Sequence, residues 1–163
     1  MELNDLVNKT RAALESRDAM MLRELSREFT DEAIVSQDEN VIKLAMITYA
    51  FNKILSKVHF KANDELVEKA LKKLRENDFS SILSYIDEFD KKFGFFEGTL
   101  VGKAKIKIGS RLYSRGISLS RSANLVNAKI SDILDYVGNT KIHEKAVGSS
   151  LKERLETARR LFK

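Results

Sequence analysis

An all-α fold is what this sequence predicts, and three observations predict it. The 163 residues contain no proline, the strongest helix breaker, and only seven glycines. Apolar residues recur at spacings of three and four along most of the chain. At 43% apolar and 33% charged, the composition belongs to globular rather than disordered chains. The length suits one compact domain or a small bundle with an appendage.

Each element follows in order. Leu3, Leu6, Val7, Ala13 and Leu14 share one face of a first helix, which Ser16 and Asp18 punctuate as stop and next N-cap. Met21, Leu22, Leu25, Phe29 and Ala33 continue the 3.6 period through a second helix ending near Ser36. Ser36-Gln37-Asp38-Glu39 reads as a capping box in which Glu39 reaches back to the serine amide. The third helix, Val41 to about Val58, is apolar nearly all round, which predicts central burial. Asn63 or Asp64 is the expected cap of a fourth helix, with Leu66, Ala70, Leu71 and Leu74 inward and Lys69, Lys72 and Lys73 outward. Asp78 or Ser80 caps a fifth, with Phe79, Ile82, Leu83, Ile86, Phe89 and Phe93 as its apolar stripe.

Gly94, Gly98 and Gly102 form the one glycine-dense stretch, a candidate boundary and hinge. Lys103 to Ile108 alternates with period two and would serve as a strand, but Val101, Ala104, Ile108 and Leu112 fit a helix that continues to Tyr113, and helix is the favoured reading. Gly116 ends it. Two short helices follow, Leu119 to Val126 and Ile130 to Val137, then a loop at Gly138, Asn139 and Thr140. Leu151, Leu155, Ala158, Leu161 and Phe162 write a final helix capped by Ser149 or Ser150. Its stripe either closes the bundle in cis or pairs with a second copy of the chain, and Arg159, Arg160 and Lys163 suit its C-terminal dipole in both cases.

Charge divides the chain at the glycine stretch. Residues 1–96 hold 15 Lys and Arg against 18 Asp and Glu, whereas residues 97–163 hold 14 against 6, within a net charge of +5. The expected domains are therefore an acidic five-helix bundle over 1–96, a candidate dimerisation or partner module, and a basic subdomain over 97–163. A basic segment of this kind is either a hint of a polyanion partner or, as is commoner for a single lysine cluster, a solvated basic surface. The lack of cysteine excludes disulfides, thiolate nucleophiles, iron–sulfur clusters and cysteine zinc sites. Met1 to Val7 is polar and acidic, unlike a signal peptide, and no apolar run approaches the ~18 residues of a membrane span, so the expected location is cytoplasmic.

The passage from Ser118 to Val137 resembles a helix-turn-helix of the DNA-binding superfamily. Ala123 stands where the two helices cross, Val126 before the turn, and Asn127 at the turn. Ile133 and Tyr136 stand where the second helix is anchored. The motif prefers glycine at the turn, and asparagine is the next best choice because it tolerates positive φ. Gly116 to Val126 together with Asp135-Tyr136-Val137-Gly138-Asn139-Thr140-Lys141 is also similar to the tail of small archaeal helical proteins whose acidic front half precedes a helix-turn-helix. That family brings no established activity, so the resemblance implies an architecture and a DNA-binding role without a mechanism.

On that mapping Lys129, Ser131, Asp132 and Asp135 face the major groove as base-reading residues. Lys103, Lys107, Arg111 and Arg115 recur at steps of four as a phosphate-contacting stripe, joined by Arg121. Ile130 and Leu134 on the same face, with the two aspartates, favour instead a protein-binding use of the fold.

Other constellations point away from catalysis. His59 and His143 lie far apart and lack metal-ligand spacing. Ile54 and Gly138 occupy the arginine position of an Arg-x4-His nuclease motif. The glycines make no phosphate loop, and the carboxylate pairs Asp38 with Glu39 and Asp87 with Glu88 suit caps or solvent. Phe89, Phe93, Phe95 and Phe96 read as core rather than as a base-stacking platform. The expectation is a non-enzymatic protein with no cofactor and no metal. It binds double-stranded DNA as a transcription regulator or chromosome-associated protein, the alternative being a protein-interaction adaptor.

Overall fold

A computed structural model describes residues 2–57, 61–94 and 98–145, to which every structural statement below refers. Among the described residues the regular elements are all helices: α1 (Leu3–Glu15), α2 (Ala19–Ser36), α3 (Glu39–Lys57), α4 (Lys61–Arg75), α5 (Phe79–Phe93), α6 (Leu100–Ser114), α7 (Leu119–Val126) and α8 (Ile130–Lys145). The stretch from Lys103 to Ile108 is helical, within α6. The helix expected over 151–162, its caps Ser149 and Ser150 and the basic residues at its end lie outside the described residues, as do His59, Phe95 and Phe96.

α3 is the axis of the fold, packing against α1, α2, α5, α6 and α7. Its Ile42, Leu44, Ile47 and Phe51 are fully buried, and each such side chain contributes roughly 1.5–3 kcal/mol by leaving water. Leu6, Val7, Ala13 and Leu14 of α1 and Leu22, Leu25, Phe29 and Ala33 of α2 are buried against it. Met21, expected on that stripe, is exposed instead, because it stands at the helix start just after its cap. Hydroxyls inside the core bond back along their own helices: Thr10 Oγ1 donates to the Leu6 carbonyl at 2.8 Å, and Thr48 to that of Leu44 at 2.9 Å. Burial therefore leaves these groups satisfied.

One core cluster includes residues from both sides of the glycine stretch: Ile86 and Phe89 from α5, with Leu100, Ala104, Ile108, Leu112, Ala123, Val126 and Ile133 from the later helices. Across the expected hinge, buried Asp90 of α5 accepts the Leu100 amide at 2.8 Å. Thr99 Oγ1 accepts from Gly102 at 3.1 Å, and a β-carbon at 102 would stand 2.6 Å from that oxygen. Gly102 is thus a helical residue that makes room for a cap.

Several helices end by one device. At Arg17, Asn77, Gly116 and Asn127 the backbone turns to positive φ, and the next amide reaches back five residues: Asp18 to Ala13, Asp78 to Leu74's neighbour Lys73, Ile117 to Leu112, Ala128 to Ala123. These are Schellman turns, which satisfy the last free carbonyls. Asp18 and Asp78 then cap α2 and α5 by accepting from Met21 and Ser81.

Three local expectations need correction. Ser36 is the last residue of α2 and donates to the Glu32 carbonyl, while Asp38 Oδ1 accepts from Asn40 at 2.7 Å at the start of α3, so the capping role falls to Asp38. Glu39 pairs with Lys43 at 2.8 Å rather than reaching back. Asn63 and Asp64 lie inside the first turn of α4 rather than before it, with Asp64 held by Arg17 Nε at 3.1 Å. Residues 138–140 are helical, within α8, and Thr140 Oγ1 bonds to the Tyr136 carbonyl at 2.9 Å; glycine in a helix costs only ~1 kcal/mol, which neighbouring turns absorb.

Candidate functional site

α6, α7 and α8 pack on one another through a close approach at Gly109. A β-carbon there would lie 2.8 Å from Ile133 Cδ1 and 2.9 Å from Val126 Cγ2, so only glycine lets α7 and α8 sit this near. Ala123, Val126 and Ile133 are buried at this junction. Ser118 caps α7, and Asn127 ends it at φ 51°. Tyr136, expected as a second anchor, is 38% exposed, and its charge adds to what raises the pKa of Tyr49 in α3. Desolvation is the larger cause of the Tyr49 shift.

Of the residues expected to read bases, Lys129, Ser131, Asp132 and Asp135 are all exposed on or just before α8. The Ser131 hydroxyl lies 3.4 Å from Asp132 Oδ1. Ile130 and Leu134 are exposed on the same helix at 45% and 44%.

The expected phosphate stripe has divergent surroundings. Lys103 and Arg115 are exposed. Arg111 is bound to Asp31 of α2, with Nη2 at 2.8 and 2.9 Å from the two carboxylate oxygens and Nε at 3.1 Å from one of them. Arg121 Nε donates to Gln37 Oε1 at 3.1 Å, beside the junction of α2 and α3. Lys107 lies over the Tyr49 ring, its ammonium 5.3 Å from the centroid.

Lys107 and Arg111 face a concavity between α2, α3 and α6, about 450 Å³ in volume. Arg23, Ser26 and Arg27 line it from α2, and Tyr49, Asn52, Lys53 and Ser56 from α3. Ser26 Oγ donates to the Ala45 carbonyl at 3.1 Å, and Asn52 Nδ2 to that of Ala19 at 2.7 Å, so two polar wall residues also fasten α2 to α3. Lys53 places a second ammonium 5.7 Å from the Tyr49 centroid. Desolvation first, and then the charges of Lys53, Arg23, Arg27 and Arg111, hold the Lys107 pKa below the ordinary lysine value.

Sequence reasoning found Lys107 and Arg111 but missed Arg23, Arg27, Tyr49 and Lys53. The available signal was a set of i, i+4 polar pairs: Arg23 with Arg27 on the amphipathic α2, and Tyr49 with Lys53 and Asn52 with Ser56 on the mostly apolar α3. Among the described residues no group of three His, Asp or Glu side chains is placed to hold a metal ion, and no helix is long and apolar enough to cross a membrane. Comparisons with protein-family models, with curated proteins and with solved structures returned no match to this chain.

Proposed function

We infer that this chain is a non-enzymatic double-stranded DNA-binding protein, acting as a transcription regulator or chromosome-associated protein, in which α7 and α8 serve as a helix-turn-helix. The observation that supports it most is the joint exposure of Lys129, Ser131, Asp132 and Asp135 at the start of α8, following a left-handed turn at Asn127. The first residues of a second motif helix are those that reach base edges in the major groove. A lysine there donates to guanine, and an aspartate accepts from the cytosine amine. Lys103 on α6 and Arg115 just after it are exposed and have no ion-pair partner among the described residues, which leaves them open to phosphate contacts.

A second reading rests on Ile130 and Leu134. Two exposed branched apolar side chains on the same helix suit a protein partner better than a groove lined with phosphates.

The experiment is fluorescence anisotropy with mixed-sequence duplex DNA over a salt series, for the wild type and a Lys103→Gln/Arg115→Gln/Lys129→Gln variant. DNA binding requires log K to fall linearly with log salt, with a slope near −0.9 per phosphate contact that is shallower in the variant. No binding at low salt returns the surface to the protein-partner reading.

A further inference from the structure

The concavity between α2, α3 and α6 gathers more positive charge than the described residues neutralise. Arg27 has Glu24 at 3.3 Å, and Arg111 has Asp31 at 2.8 Å. Arg23, Lys53 and Lys107 have no carboxylate partner among the described residues. α2 and α6 each turn a like-charged i, i+4 pair to this space, Arg23 with Arg27 and Lys107 with Arg111, α3 adds Lys53, and like charges so placed repel. Cations crowded into one concave site therefore cost stability unless an anion joins them. Tyr49 holds the ammonium groups of Lys53 and Lys107 near its ring, an arrangement that fixes two donors in place.

We propose that this concavity binds a small molecule carrying a diphosphate group. The charge matches in sign and multiplicity: three cations without a carboxylate partner among the described residues face an anion with several negative charges. The geometry matches as well. Guanidinium groups on α2 and ammonium groups on α3 and α6 surround the anion from three sides, and arginine forks bind phosphate oxygens in pairs. A volume of about 450 Å³ lies within the range of small-molecule sites and exceeds what a single phosphate fills. None of the residues lining this concavity belongs to α8, and the proposal does not depend on the DNA-binding reading.

The test is isothermal titration of the full chain with pyrophosphate, and separately with orthophosphate, at low ionic strength. It is run on the wild type and on an Arg23→Gln/Lys53→Gln variant; both positions are exposed, and circular dichroism checks the variant's folding. The expected result is single-site, saturable pyrophosphate binding, about tenfold tighter than orthophosphate and weakened about tenfold or more in the variant. A rise in the wild-type Tm with pyrophosphate gives an independent readout of binding to the folded state. Absence of saturable binding, an affinity no better than that of orthophosphate, or a variant that binds equally well overturns the proposal. Duplex DNA is titrated in parallel. Pyrophosphate binding without duplex binding keeps this site and removes the DNA reading. Duplex binding that the variant loses, without any pyrophosphate binding, makes the concavity part of a nucleic-acid surface and overturns the small-molecule site.

Discussion

Arg111 of α6 and Asp31 of α2, 80 positions apart in the chain, meet through both carboxylate oxygens, with Nη2 at 2.8 and 2.9 Å. The pair ties the basic segment to the acidic one and holds one wall of the cationic concavity in place. Both side chains keep solvent access, so the coupling is screened. A double-mutant cycle of Arg111→Ala and Asp31→Ala in urea should give an interaction of about 0.2–1 kcal/mol. A coupling of several kcal/mol is the outcome that contradicts this account.

Gly109 and Gly138 make opposite predictions although both lie in helices. Gly109→Ala drives a β-carbon against Val126 and Ile133, whose side chains are 1% and 0% exposed and have nowhere to move. Overpacking should outweigh the gain in helix propensity and lower stability by about 1–2 kcal/mol. Gly138→Ala meets nothing within 4 Å and should raise stability by up to about 1 kcal/mol. Thermal melts of the two variants compare the effects directly; a stabilised Gly109→Ala would mean that α6 and α8 are less closely packed than described.

Asp90 joins α5 to the start of α6 through a single bond to the Leu100 amide. Asp90→Ala leaves a buried amide without its acceptor and should cost about 1–3 kcal/mol. Asp90→Asn keeps an acceptor in place and should cost less. Equal losses in urea midpoints for the two variants would show that the carboxylate's charge, not the hydrogen bond, matters at this junction.

The crowded lysine makes a prediction about pH. Lys107 is faced by Arg23 and Arg27 from α2, Lys53 and Tyr49 from α3, and Arg111 from its own helix. Its folded pKa lies below the unfolded value, so the unfolded state binds more protons between the two, and stability rises with pH across that window. Lys107→Gln should therefore be more stable than the wild type at neutral pH, with the advantage shrinking as pH climbs toward 10.5. Urea midpoints of both proteins at several pH values measure the gap. A gap independent of pH would assign the difference to packing. Pyrophosphate, which favours the charged lysine, should bind best below the folded pKa and lose affinity as pH rises through it.

The outer face of α8 separates the two functional readings. Ile130→Ser/Leu134→Ser changes exposed positions and should alter stability by less than about 0.5 kcal/mol. Under the DNA reading, the salt slope of duplex binding stays within one phosphate contact of the wild type. A loss of duplex binding in a variant that retains its fold would mean that these side chains, not the lysines, make the decisive contact.

Local structure was legible because its causes are local. The stripes of α1, α2, α3 and α5, the Asp18 and Asp78 caps and the positive φ of Asn127 each depend on residues within about one turn of one another. The misreadings were also local: Ser36 and Asp38 both resemble caps, and Gly138 resembles a break, yet neighbouring turns carry α8 through it.

By itself the sequence determined the helical class, the order of the helices among the described residues and the concentration of positive charge after Gly94. Tertiary structure decided where that charge points. Arg23, Arg27, Lys53, Lys107 and Arg111 are scattered over 89 positions and share a concavity only because α2, α3 and α6 pack with those faces adjacent. Helix periodicity places a residue on a face of its own helix, but which faces meet is set by burying the apolar stripes together, a property of the whole core. The same packing turned Arg111 toward Asp31 and Arg121 toward Gln37, contacts that no local spacing encodes.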